Sequence, residues 1–246
     1  GYFISVLHKN PEIAEQGLAS IKAQFDKPKT SVNDRTIFDR LMKSTPAPEI
    51  ASQAGNLKTG EKQAATIIEK AYLNSYVSHA PMEPHAAVAD FDGKKLTVWA
   101  STQTPFRLKD LIAEQLGLSP DRVRVIAPYV GGGFGGKSAS QQALEAARLA
   151  KRLKKPVQVA WSRAEEFFYD AFGPAAVIKI ASGIDESGNV VFWDYTSYHA
   201  GERNAEAIYN IPHHLTTTVG SWMRSAEGAH AFGVGAWRAP GAGFNG

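Results

Sequence analysis

The sequence predicts a mixed α+β domain whose sheet is largely antiparallel and carries one α/β crossover. Three observations lead there. Two pairs of apolar runs are joined by tight-turn chemistry: Ala86–Phe91 with residues 96–101 across Asp92-Gly93, and residues 176–180 with 190–193 across the polar turn 185–189; such pairs read as β-hairpins. Apolar residues recur at helical spacing over residues 107–116 and 140–153, as in helices with one buried face. Between these, the alternating strand Val123–Ile126 leads through a glycine-rich loop into the second helix and on to an apolar run at residues 157–161.

In chain order, residues 2–7 read as a short strand and residues 11–25 as an amphipathic helix with Ile13, Leu18, Ile21 and Phe25 on one side. The Pro, Gly, Asn and Lys of residues 44–60 read as a linker, followed by a helix over residues 61–71. Helix 107–116 turns Leu108, Leu111, Ile112 and Leu116 inward. No internal repeat is present.

At 246 residues and 43% hydrophobic composition the chain can bury one large core or two smaller ones. No apolar stretch approaches the roughly 20 residues a membrane-spanning helix needs. The net charge of +3, from 27 basic and 24 acidic residues, is modest and dispersed, which gives no electrostatic case for nucleic acid. Cysteine is absent, so disulfides, iron–sulfur ligation and thiolate chemistry must lie on other polypeptides or segments if the protein uses them.

The most informative segment is Gly131-Gly132-Gly133-Phe134-Gly135-Gly136, closed by Lys137 and Ser138. Each interior glycine costs roughly 0.5–1 kcal/mol relative to alanine, so the cluster implies positive φ or a very close approach to the backbone. A strand-to-helix position aims main-chain N–H groups at an anion. Three readings stay open on the loop alone. Gly131, Gly136, Lys137 and Ser138 fit a nucleoside-triphosphate loop, with Asp194 as a magnesium-binding acid, although the antiparallel hairpin containing Asp194 argues against a parallel triphosphatase sheet. Gly131, Gly133 and Gly136 fit the dinucleotide fingerprint, with Arg163 at the end of the next strand. A glycine-rich turn without ligand is the third.

The order of four segments narrows the choice: His79-Ala-Pro-Met-Glu-Pro84, Trp99-Ala-Ser-Thr-Gln103, the glycine loop about thirty residues later, and Trp237-Arg-Ala-Pro-Gly241. From Tyr72 to Gly246 this order resembles the molybdenum-binding subunit of the xanthine dehydrogenase and aldehyde oxidase family, most closely its isoquinoline 1-oxidoreductase beta branch. The resemblance implies that Gln103 hydrogen-bonds an oxygen ligand of molybdenum, that Gly132, Gly133, Phe134, Gly135 and Gly136 wrap over the metal and its pterin with N–H groups near Phe134 and Gly135 donating to oxygen, and that Arg238 lines the cofactor or substrate side, where Pro240 opens a helix. A neutral amide that donates two N–H bonds suits such a role, and a planar guanidinium recognises oxygens in pairs. Ser138 stands where the purine-oxidising branch has glutamate, which argues against xanthine as substrate. The family's general base lies outside this chain, so no catalytic residue is assignable.

The resemblance further implies a molybdenum-pterin cofactor in dinucleotide form, 2Fe-2S clusters on an iron–sulfur partner subunit, the remainder of the molybdenum subunit as a further partner, and oxidation of aldehydes or N-heterocycles with oxygen from water. Residues 1–43 would end an α/β hammerhead-like domain, 44–60 would be the linker and 61–246 the N-terminal part of the cofactor domain. The chain is then expected to be a fragment of a bacterial protein, cytoplasmic or periplasmic, that alone neither retains molybdenum nor turns over substrate. A nucleotide-binding domain for NAD(P) or ATP and a non-enzymatic scaffold are the alternatives.

Other clusters have plainer explanations. His79, Glu83 and His85 have metal-ligand chemistry, but Pro81 and Pro84 describe an irregular turn, and the segment reads as scaffold. His213 and His214 read as a solvated loop. Lys151, Arg152, Lys154 and Lys155 close a helix whose terminal carbonyls favour cations.

Overall fold

A computed structural model describes residues 4–26, 29, 31–44, 46–221 and 229–238. Its elements are α1 (Pro11–Ala19), α2 (Ile37–Lys43), β1 (Pro48–Ala54), α3 (Leu57–Gln63), β2 (Thr66–Asn74), β3 (Ala86–Phe91), β4 (Leu96–Ala100), α4 (Pro105–Leu116), β5 (Val123–Ile126), α5 (Gln141–Leu153), β6 (Val157–Ala160), α6 (Arg163–Tyr169), β7 (Ala176–Ile184), β8 (Val190–Tyr198) and β9 (His213–Val219). They form two sheets, in the orders β5-β4-β3-β6 and β1-β9-β8-β7-β2. Each sheet has one parallel pair, β4 with β5 and β8 with β9; the other pairings are antiparallel. The mixed, largely antiparallel α+β architecture is the one expected.

The smaller sheet carries the main core. Strands β3 and β4 alternate strictly, placing Ala87, Ala89 and Phe91 beside Leu96, Val98 and Ala100 on one face. Helices α4 and α5 cover that face with Leu108, Ile112, Ala143, Ala146, Ala147 and Ala150. The alanine row lets α5 lie close to β3. Helix α4 starts on Pro105 and stops at Gly117, whose φ of 60° closes the helix in the left-handed region.

Both predicted hairpins form, β3–β4 and β7–β8, as do the helices at 107–116 and 140–153. Four expectations are corrected. Residues 61–71 are not one helix: α3 ends at Gln63, and the β-branched run Thr66-Ile67-Ile68 enters β2, which pairs with β7 over nine residues. Residues 44–60 are not a simple linker, because β1 pairs with β9. His213 and His214 begin β9 instead of lying in a loop. Residues 4–8 are irregular where a strand was expected, and α1 ends at Ala19, leaving Ile13, Leu18, Ile21 and Phe25 exposed. Tyr2, Phe3, Pro240 and residues 242–246 lie outside the described residues.

The consequence for function lies at the carboxyl ends of β4 and β5. Parallel neighbours deliver their outgoing loops to one edge, where open sheets bind ligands. Here those loops are residues 101–104 and 127–140.

Candidate cofactor-binding site

The segment leaving β4 is fastened before it reaches Gln103. Ser101 N–H donates to the carbonyl of Ala86 (3.0 Å), and Ser140 Oγ donates to Thr102 Oγ1 (3.0 Å). Gln103 N–H donates to the carbonyl of Lys137 (2.8 Å), and Gly135 N–H donates to Gln103 Oε1 (2.8 Å). The second bond settles which way the amide points, since an N–H can only meet its oxygen. Gln103 therefore turns its NH2 group away from the loop, and among the described residues that group has no acceptor.

The glycines meet the protein's own atoms. A Cβ on Gly131 would lie 2.6 Å from Glu83 Cβ, one on Gly133 2.5 Å from Gln103 Oε1, and one on Gly136 2.6 Å from Asp170 Oδ2. A Cβ on Gly135, at φ +114°, would overlap the carbonyl oxygen of Ala236. Close approach was the right physical reading, but much of what approaches is protein. What remains for a ligand is the stretch Gly132-Gly133-Phe134, whose N–H groups meet no acceptor among the described residues. The Gly135 N–H, expected to serve a ligand, is taken by Gln103. A 3-10 turn, Gly136–Ser138, separates the loop from α5, so the helix end does not bear on it directly.

Arg238 joins the same place from the far end of the sequence. Its N–H donates to the carbonyl of Phe134 (2.7 Å), and its guanidinium carbon lies 4.8 Å from the centre of the Phe134 ring and 5.3 Å from that of Trp237. Phe134 and Arg238 both hold positive φ, 55° and 49°, conformations that cost non-glycine residues and persist only where their surroundings enforce them. Gln103, Phe134 and Arg238 thus share one edge of the molecule.

Beneath the loop lies a buried ionic network. Lys137 is fully buried and pairs with Glu83 at 2.9 Å; Glu83 also accepts from Gly131 N–H. Burial opposes ionisation of Glu83, but the Lys137 and Gly131 bonds outweigh it and hold its pKa below the usual carboxylate range. His79 lies 3.1 Å from Asp170 Oδ2 through Nδ1 and 2.8 Å from the Ala236 carbonyl through Nε2. Burial lowers its basicity, yet Asp170 and that carbonyl more than compensate, so its pKa is raised. His85 lies 3.8 Å from Glu166, which pairs with Arg163 at 3.1 Å. His79 and His85 thus both lie against Asp170, His85 at 4.0 Å, while Glu83 is engaged by Lys137, and no metal-binding group of three or more such side chains forms among the described residues. Sequence reading missed this network; its one signal was an acid and two histidines between prolines just before a strand.

The geometry also decides among the loop readings. Lys137 is committed to Glu83 under the loop and cannot reach a triphosphate, and Asp194 sits in β8 of the other sheet. A dinucleotide fold needs the strand after the loop helix to continue a parallel sheet. Here β6 is antiparallel to β3 on the opposite edge from β5, and Arg163 donates to Glu166 and the carbonyls of Pro81 and Met82.

What remains is a domain that presents an oriented amide NH2, three bare main-chain N–H groups and a guanidinium at the mouth of a parallel strand pair. This donor set contains no anion and no metal-ligating side chain, and it fits an oxygen-rich, negatively charged prosthetic group bound through its own ligands. Residues 42–221 match the molybdopterin cofactor-binding domain, and the chain belongs to that family. It is 38% identical over 136 residues, 55% of this chain and 19% of the relative, to the aldehyde oxidoreductase molybdenum-binding subunit PaoC of Escherichia coli K12. It is 33% identical over 112 residues to isoquinoline 1-oxidoreductase subunit beta of Brevundimonas diminuta, covering 45% of this chain and 14% of that one. Among solved structures, quinoline 2-oxidoreductase of Pseudomonas putida 86 shares the fold, with a TM-score of 0.76 over 95% of this chain and 32% of that chain at 19% identity. The chain spans about a fifth of the length of the aldehyde oxidoreductase subunits it matches.

Proposed function

We propose that this chain supplies the cofactor-holding edge of a molybdenum hydroxylase that oxidises aldehydes or N-heterocycles with water as the source of oxygen. The observation that carries this reading is the Gln103 amide, locked by Gly135 so that its NH2 faces outward beside the bare N–H groups of residues 132–134. When bound, a molybdenum-pterin group supplies two-electron oxidation at an electron-poor carbon. The chain's own part is to hold that group. Gln103 donates to an oxygen ligand without adding charge, the loop amides stabilise negative charge in a fixed geometry, Phe134 shields the site from bulk water, and Arg238 orients oxygens on the cofactor or substrate side.

The absence of cysteine sends the electrons to centres elsewhere: 2Fe-2S clusters on a partner chain, as in the family resemblance. We take the pterin to carry a nucleotide. The general base lies beyond these residues, and residues 1–43 close a hammerhead-like domain. Ser138, which carries no charge where the purine-oxidising branch has glutamate, argues against xanthine as the substrate.

The test is the complete molybdenum subunit purified with its partners. It should contain molybdenum and pterin in equal amounts and place 18O from labelled water into the carboxylate made from an aromatic aldehyde or the lactam made from a quinoline. Gln103→Ala should lower kcat on the order of 100-fold, the effect of losing one preorganised donor, while leaving the free energy of unfolding within ~1 kcal/mol of wild type. Micromolar affinity for NAD(P) or ATP, with no molybdenum, would overturn the reading.

A further inference from the structure

Four separate segments meet at one imidazole. His79 lies in the irregular stretch between β2 and β3, Asp170 caps the end of α6, Gly135 and Gly136 belong to the glycine loop, and Ala236 precedes Trp237 and Arg238. The ring is 1% exposed. Its Nε2 donates to the Ala236 carbonyl at 2.8 Å, an acceptor only, and its Nδ1 lies 3.1 Å from Asp170, whose other oxygen accepts from Ala171 N–H. With Asp170 as the carboxylate, both ring nitrogens must carry protons. The loop is moulded to this arrangement: Cβ atoms on Gly135 and Gly136 would lie 3.0 Å from His79 Nε2 and 2.9 Å from Nδ1.

We infer that His79 is a positioning residue: as a doubly protonated clasp between Asp170 and the Ala236 carbonyl, it holds Trp237 and Arg238 over Phe134 and so sets where the guanidinium stands at the site. Two residues after the clasped carbonyl, Arg238 N–H is bonded to Phe134, and the Trp237 indole N–H donates to Ser78, the residue before His79 (3.3 Å). Removal of one ring proton leaves a single donor for two acceptors: kept on Nδ1 against the Asp170 carboxylate, it leaves Nε2 a lone pair facing the Ala236 carbonyl, which breaks the clasp and loosens the path to Arg238. The clasp is independent of what the site binds; only its bearing on a cofactor rests on the function proposed above.

The charged groups around His79 are Asp170 at its side, His85 with one nitrogen 4.0 Å from Asp170 Oδ1, Glu166 behind His85, Arg163 on Glu166, and the Lys137–Glu83 pair of the loop. Burial works against the charged ring, while Asp170 and the Ala236 carbonyl favour it; the net effect raises the pKa above the ordinary histidine value. The sign follows directly. A raised folded pKa means that the clasp is fully present below the unfolded value of about 6.5 and is lost as pH rises through the higher folded value.

Hydrogen–deuterium exchange of the complete protein in its native assembly, corrected for intrinsic exchange at each pH, tests this. The peptide covering residues 233–238 should lose protection by at least about tenfold as pH rises through the raised folded pKa of His79, the scale of a charge-assisted hydrogen bond, while peptides of β3 and β4 stay unchanged. In His79→Leu, that peptide should be exposed at every pH with no step; in His79→Gln, which keeps one donor, protection should be intermediate and flat. A flat wild-type profile would overturn the inference without any variant, and so would a step that survives in His79→Leu or His79→Gln. Exchange is read whether or not molybdenum is bound, so failure of the proposed activity and failure of the clasp are distinguishable.

Discussion

Gly135 and Gly93 separate two reasons for which a chain keeps glycine. Both have positive φ, 114° and 91°, but a Cβ on Gly93 meets nothing within 4 Å, whereas on Gly135 it would collide with the Ala236 carbonyl. Gly93→Ala should cost only the left-handed backbone strain, about 1–2 kcal/mol. Gly135→Ala adds a clash with fixed backbone and should cost at least about 3 kcal/mol, or displace residues 236–238 altogether. Urea midpoints of the two variants measure this, and equal losses would show that Ala236 does not press on the loop. The sequence could tell that something touches these glycines. It could not tell that Gln103, Asp170 and Ala236 do so, because those contacts span tens of residues and leave no local pattern.

Helix α2 and the ends of β8 and β9 are joined by histidines that have to stay neutral. His199 is buried, donates from Nε2 to the Leu41 carbonyl at 3.0 Å and meets His230 edge-on. Tyr76 Oη accepts from Ala231 N–H and therefore donates to His230 Nδ1 at 3.0 Å, which fixes that nitrogen as an acceptor. Burial, with the nearby His199 adding to it, lowers the His230 pKa to about 4, and burial likewise lowers that of His199. For a histidine with a depressed folded pKa, stability is complete above the unfolded value near 6.5 and is lost as pH falls toward the folded one. The urea midpoint should therefore fall between pH 6.5 and about 4, and His230→Phe should flatten that part of the curve. An equally steep fall in the variant would assign it to other groups.

The same element scale shows what local sequence can carry. The hairpins at 92–93 and 185–189 and the helices α4 and α5 were legible because turn chemistry and period are local signals. Strands β1, β2 and β9 were not: β1 begins with proline and is mostly exposed, β2 follows helix-compatible residues, and all three are defined by partners far along the chain. Helix α6 was not expected, although Ser162 and Glu165, which form a reciprocal capping box in the structure, are a local signal for it.

Over the whole molecule, two mixed sheets bring distant segments to one edge, and a buried ionic network fixes the geometry of that edge. Its members oppose one another in pH. Burial works against an ionised Glu83, yet Lys137 and Gly131 depress its pKa, so its contribution is present above the ordinary glutamate range and lost as pH falls through the lower folded value. The His79 clasp is lost in the other direction. The loop should accordingly be most ordered between the two, and Glu83→Gln, which removes the charge opposite the buried Lys137 but keeps an acceptor oxygen on a partly exposed side chain, should destabilise by about 1–3 kcal/mol. A loss under about 1 kcal/mol would mean that Lys137 finds another partner. Of the candidate site, Gln103, the glycine loop and Arg238 were legible as motifs in a particular order. The clasp that joins them was not, since a histidine two residues before a proline says nothing of what it faces.

On the proposed function, Gln103, the amides of residues 132–134 and Arg238 face one molybdenum centre. Crystals of the complete subunit measured on either side of the molybdenum absorption edge would locate the metal directly. One anomalous peak is expected, with an oxygen ligand of the metal within hydrogen-bonding distance of Gln103 Nε2 and the pterin against the glycine loop. A peak elsewhere in the protein, with Gln103 facing solvent, would contradict it.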